Sequence, residues 1–210
     1  MRFADIDAVT LDAFGTLVDL VDPVPGLERL LRRHGLERAP AEIAAAFAAE
    51  AAHYRRRSFT GRDDETLRSL RKECADVFLC ALDAPAALDG FATGYVETLQ
   101  FQVLPRVRDT LAALRARGLA LAVISNWDVG LHAHLEELAL SSFFDIVVSS
   151  AEAGVEKPDP RIFEVALARL AVRRERVVHV GDGRSDEEGA HAAGVQYVAA
   201  PLPEAIAGWT

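Results

Sequence analysis

Beyond residue 100 the chain alternates between two textures, and that alternation limits its fold more than any other feature. Short apolar runs at 119–124, 146–149, 177–180 and 197–199 are separated by stretches with helical spacing at 131–138, 160–170 and 187–193. The apolar runs lack the in-out polar pattern of a half-exposed strand, as expected for strands covered on both faces. Together with a similar run at 8–11, they predict an α/β fold built on a parallel, doubly wound sheet with right-handed crossovers.

Between the first and second of these strands the texture changes. Pro23 and Pro25 mark a boundary. From Gly26 to Leu99 apolar residues then recur at helical spacing: Leu27, Leu30, Leu31; Ile43, Phe47, Tyr54; Leu67, Leu70, Cys74, Phe78; Phe91, Tyr95, Leu99. No strand pattern interrupts them, and roughly 75 residues accommodate four or five antiparallel helices. The expected organisation is a core domain from 1–20 and 101–210, with a helical domain at 21–100 inserted into it. Pro105-Arg106-Val107 opens the next core helix, and Arg117-Gly118 closes it.

A chain of 210 residues, half of them hydrophobic, suits one core domain with a smaller appendage. Its net charge of −9 argues against nucleic acid or an anionic membrane as the main partner, so an anionic substrate needs a local positive site. Cys74 and Cys80 have neither zinc-site spacing nor a disulfide framework count, and read as reduced thiols. The start of the sequence lacks a secretory pattern and no apolar run is long enough to span a bilayer, so the expected compartment is the cytoplasm.

Chemistry gathers at the ends of the predicted strands. Asp12 follows the first strand in Thr10-Leu11-Asp12-Ala13-Phe14-Gly15-Thr16. A carboxylate delivered there from an apolar strand needs a cation or donors brought from elsewhere; the plain alternative is a helix cap. Ser125-Asn126 ends the second strand, Lys157-Pro158 occupies a proline-stiffened loop in which Asp159 can cap the next helix, and Gly181-Asp182 with Asp186 follows the fourth strand. Each has an ordinary reading as a turn or a solvated side chain. Asp128 reads as a cap for the helix containing Leu131.

Taken in order, these four stretches resemble the motifs of the haloacid dehalogenase superfamily, whose core is a Rossmann-like sheet, and they span nearly the whole chain. The resemblance implies a hydrolase in which Asp12 is the nucleophile and the insertion is a helical cap. The most direct reading is a phosphatase acting on a small phosphorylated metabolite through an aspartyl-phosphate. Ser125 and Asn126 would then bind the phosphoryl oxygens, and Lys157 would serve both catalysis and binding. Asp12, the backbone carbonyl of Phe14, Asp182 and, further out, Asp186 would hold Mg2+. Charge supports a metal: Asp12, Asp182 and Asp186 against Lys157 leave about −2, which a dianionic phosphate could not approach unaided.

Two departures from the family pattern stand out. Phe14 occupies the place where the family's phosphatases carry an acid that protonates the leaving oxygen, so poor alkoxide leaving groups should turn over slowly and aryl or acyl phosphates less so. Asp186 follows Asp182 by four residues where many relatives have five. Phe14 also keeps open a 2-haloacid dehalogenase, with an ester intermediate on Asp12, although those enzymes lack the Gly-Asp stretch. A third reading is a catalytically weak binding or regulatory member. In the inserted domain Tyr54, Arg55, Arg56, Arg57 and Phe59 form a basic, aromatic cluster for substrate choice, or simply a solvated helix face. The six histidines show no ligand spacing.

Overall fold

The structure is a computed structural model that describes residues 2–85 and 88–209. The chain divides into two compact units, residues 1–19 with 102–210 and residues 20–101.

The larger unit is built on a five-stranded parallel sheet. Its strands are β1 (Ala8–Leu11), β4 (Ala120–Ser125), β5 (Ile146–Ser149), β6 (Val177–Gly181) and β7 (Gln196–Ala199), in the order β5-β4-β1-β6-β7. Strand β1 lies at the centre, with Ala8 opposite both Ala120 and Val177, and Leu11 opposite both Val123 and Val180. After β1 the chain builds outward through β4 to β5, then returns to the other side of β1 for β6 and β7. That reversal next to β1 makes the carboxyl ends of β4, β1 and β6 the crevice where such sheets bind ligands. Every residue of β1 and β6 is buried, which explains their unalternating apolar composition.

Helices α5 (Val107–Ala116), α6 (Leu131–Glu137), α7 (Ser150–Ala153), α8 (Arg161–Leu170), α9 (Arg184–Ala193) and α10 (Leu202–Ile206) connect or follow the strands. Ile162, Phe163, Ala166 and Leu167 of α8 and Ala190 and Ala193 of α9 pack with Ile124, Val148 and Val177 of the sheet in one core. Four short elements were not expected from the sequence: α7, α10, and the strands β2 (Val18–Leu20) and β3 (Phe101–Val103), which pair with each other. The two helices are too short to set up a period, and β2 (Val-Asp-Leu) and β3 (Phe-Gln-Val) are each broken by a polar residue. Helix α9 starts at Arg184 rather than near Glu187, so Asp186 lies in its first turn.

The smaller unit contains α1 (Val24–Arg33), α2 (Pro40–Arg57), α3 (Asp64–Ala81) and α4 (Phe91–Thr98). Pro25 lies in the first turn of α1, where its missing N–H costs nothing. Leu27, Leu30, Leu31, Ile43, Phe78 and Leu79 form this unit's own core, with Phe91 and Tyr95 stacked 6.2 Å apart between ring centroids. Among the described residues no helix is long and apolar enough to cross a membrane.

Candidate active site

Asp12, the residue after β1, is 7% exposed, and its backbone N–H donates to the Val180 carbonyl 2.9 Å away, continuing the strand ladder into the site. The turn that follows depends on Gly15, which has a φ of +78° and lies so close to Asp182 that a Cβ would fall 2.1 Å from Oδ2. No L side chain fits there. Phe14, in the same turn, is 46% exposed.

Lys157 is the cation that Asp12 requires. Its ammonium is buried and uses all three donors: on Asp12 Oδ1 at 2.6 Å, on the Ile124 carbonyl at 2.9 Å, and on Asp186 Oδ1. Burial alone would lower the lysine pKa, but the charges and hydrogen bonds of Asp12 and Asp186 outweigh it and hold the group above its ordinary value. The loop that presents it is clamped by Asn126, whose Oδ1 accepts from the Lys157 N–H at 2.7 Å and whose Nδ2 donates to the Lys157 carbonyl at 2.9 Å. The carboxamide of Asn126 is thus engaged in holding Lys157. Ser125 is buried at the end of β4, opposite Ser149 of β5.

Asp182, beyond the buried end of β6, is itself exposed, whereas Asp186 is 2% exposed. Both oxygens of Asp186 are engaged: Oδ1 takes Lys157 and His179 Nε2, and Oδ2 takes the Gly183 N–H at 3.0 Å. Gly181 makes this possible, since a Cβ there would lie 2.4 Å from the Asp186 carboxyl carbon. Desolvation would raise the Asp186 pKa, but hydrogen bonds from His179 and the charge of Lys157 bring it below the usual carboxylate range. Asp182 moves the other way: partial burial and the charges of Asp12 and Asp186 push it up.

Ligand oxygens of Asp12, Asp182 and Asp186 all lie within 4.8 Å of one another. Three carboxylates this close, one of them raised by partial burial and by its neighbours, with Lys157 to offset them, fit a hard divalent cation that prefers oxygen donors.

A model of the haloacid dehalogenase-like hydrolases matches residues 6–194. The chain belongs to this family. It is 32% identical to human haloacid dehalogenase-like hydrolase domain-containing protein 3 over 96% of this chain and 84% of that protein. Against the cattle protein of the same name the match spans 49% of this chain and 42% of that one. It is also 31% identical to a phosphoglycolate phosphatase from Pseudomonas putida, over 90% of this chain and 67% of the relative. Among solved structures, L-2-haloacid dehalogenase from Xanthobacter autotrophicus shares the fold, with a TM-score of 0.68 at 24% identity over 91% of this chain and 76% of that chain.

His179 and Thr10 were not anticipated as site residues. His179 is fully buried, with Nδ1 3.0 Å from Thr10 Oγ1 and Nε2 3.0 Å from Asp186 Oδ1. The available signal was a lone polar residue in the middle of each apolar run, Val9-Thr10-Leu11 and Val178-His179-Val180. The other histidines lie elsewhere: His132 pairs with Glu152, His53 with Glu73, and His34 meets the Phe91 ring. Asp128 accepts from the Gly130 N–H at 2.7 Å, closing the turn before α6 rather than capping its first residues, because Gly130 is the N-cap. Asp159 does bond the first helical N–H of α8, that of Arg161, at 3.0 Å.

Proposed function

We propose that this hydrolase is a magnesium-dependent phosphatase acting on a small phosphate ester, with Asp12 as the nucleophile. The observation that carries the reading is the crowding of Asp182 against Asp12 and Asp186 with Lys157 as the balancing cation, an excess of negative charge suited to Mg2+ and a phosphate together. Asp12, Asp182 and the Phe14 carbonyl would hold the ion, with Asp186 behind them; when bound, it supplies charge neutralisation at the phosphoryl oxygens.

In this reading an Asp12 carboxylate oxygen attacks phosphorus, and the bond to the leaving oxygen breaks with its electron pair. Water then attacks the phosphorus of the aspartyl-phosphate, releasing inorganic phosphate and restoring Asp12. Lys157, fixed by three hydrogen bonds, orients Asp12 and faces the phosphoryl charge. Ser125 and the Asn126 backbone N–H would receive the other phosphoryl oxygens, while the Asn126 side chain keeps Lys157 in place. Phe14 cannot protonate a leaving oxygen, so the preferred substrates are phosphates whose leaving group departs unaided, such as aryl phosphate esters or acyl phosphates. Residues 21–100 are assigned as the helical cap, residues 1–20 with 101–210 as the catalytic core, and the cytoplasm as the compartment.

A second reading, hydrolysis of a 2-haloacid through an ester on Asp12, is favoured by the exposed ring of Phe14 in place of an acid. Assaying aryl, acyl and sugar phosphates with and without magnesium, beside 2-haloacids with halide detection, separates the two. Magnesium-dependent phosphate release is the expected result. Halide release without metal would replace the phosphatase reading, and no turnover of either class would leave a binding or regulatory member.

A further inference from the structure

His179 stands in the middle of β6, flanked on both sides by valine, Val178 and Val180. An imidazole fully inside a sheet is unfavourable unless both ring nitrogens are paired, and here both are. Strand register supplies one partner: Thr10 of β1 lies directly opposite, and its Oγ1 is 3.0 Å from Nδ1. The other partner is Asp186 Oδ1, 3.0 Å from Nε2. Phe163 meets the ring edge to face at a centroid distance of 4.9 Å and 84°, fixing its plane. Strand pairing and ring packing thus leave the imidazole a single orientation.

The tautomer follows from the partners. An ionised carboxylate only accepts, so Nε2 carries the proton and donates to Asp186; Nδ1 then offers a lone pair to the Thr10 hydroxyl proton. Asp186 receives His179 and Lys157 on the same oxygen, and its other oxygen takes the Gly183 N–H. Lys157 in turn has no donor left beyond Asp12, Asp186 and the Ile124 carbonyl. We infer that His179 is a positioning residue, braced by Thr10, that fixes the Asp186 carboxylate so that Lys157 is aimed at Asp12. Its catalytic consequence rests on the phosphatase reading, because there Lys157 must be held in one place as charge moves onto the phosphoryl group. A histidine that merely filled the core would need only its shape.

The test compares His179→Leu, His179→Gln and Thr10→Val with the unaltered protein on p-nitrophenyl phosphate at saturating magnesium, with melting curves for each. Glutamine places its amide nitrogen as many bonds from Cβ as Nε2 and keeps a donor toward Asp186; leucine keeps apolar bulk alone. Loss of a supporting hydrogen bond of this kind typically costs about 10–100-fold in activity. His179→Leu is expected to lose that much in kcat with KM little changed, Thr10→Val to lose less, and His179→Gln to recover most of the loss. A folded His179→Leu with undiminished kcat, or a His179→Gln as impaired as His179→Leu, would overturn the inference. If the unaltered protein releases no phosphate, the phosphatase reading fails, and the positioning claim is decided by stability. His179→Leu and Lys157→Met should then be non-additive in urea melts because they share one carboxylate oxygen, and additivity would overturn it.

Discussion

At the scale of single residues, the site is a set of carboxylates sorted by what touches them. Asp12 faces Lys157, Asp186 is enclosed by Lys157, His179 and the Gly183 N–H, and Asp182 is left exposed beside both. Asp12→Asn keeps the volume and removes the carboxylate proposed as the nucleophile, so turnover should fall by on the order of 10⁴-fold or more while the melting curve stays cooperative; near-normal rates would remove Asp12 from the chemistry. Phe14 makes a more particular prediction. A general acid is worth about 10²–10⁴ where the leaving group is poor and little where it departs unaided. Phe14→Asp should therefore accelerate alkyl phosphate hydrolysis far more than aryl phosphate hydrolysis. Because the ring is 46% exposed, its loss should cost little core packing. Equal gains on both substrates, or none, would show that proton supply does not limit the reaction.

At the scale of elements, the sheet brings together what lies far apart in the chain, and the helical unit has a polar feature of its own. Glu50 of α2 is 4% exposed, close to Cys74 of α3 and Tyr95 of α4. Burial pushes its carboxyl up, and the thiol and the phenol pull it part of the way back. A carboxyl raised on folding contributes stability that is complete below its unfolded pKa and is lost as pH rises through the folded one. Glu50→Gln should therefore melt close to the unaltered protein near pH 4 and progressively higher than it as pH rises toward neutrality, levelling off beyond the folded pKa. A gap independent of pH, or one that opens on acidification, would show that Glu50 carries no such penalty.

For the whole molecule, the proposed metal site ties stability to magnesium through the carboxylate cluster. A ligand that binds only the folded state at 100 times its Kd stabilises it by about 2.7 kcal/mol, so magnesium should raise the melting temperature by several degrees. Asp182→Asn should abolish most of that rise and, without metal, raise the melting temperature by removing a charge that partial burial and the nearby Asp12 and Asp186 disfavour. An unchanged magnesium response would take Asp182 out of the ion's coordination. Much of the fold was readable in the chain, since buried parallel strands are largely apolar without alternation and the helices between them must carry one apolar face. The five core strands followed from those periods, and Asp12, Ser125 and Asp182 stand at or just beyond the ends of β1, β4 and β6. β2, β3, α7 and α10 escaped because none of them forms an unbroken apolar run or a repeating helical period. What the sequence by itself determined is which residues stand at strand ends. Only the tertiary structure decided who holds whom: the pairing of Thr10 with His179, both oxygens of Asp186 engaged, and the Asn126 side chain gripping the Lys157 backbone. The physical reason is that strand order and register put β1 beside β6, joining residues 169 positions apart, and local periodicity carries no trace of that distance.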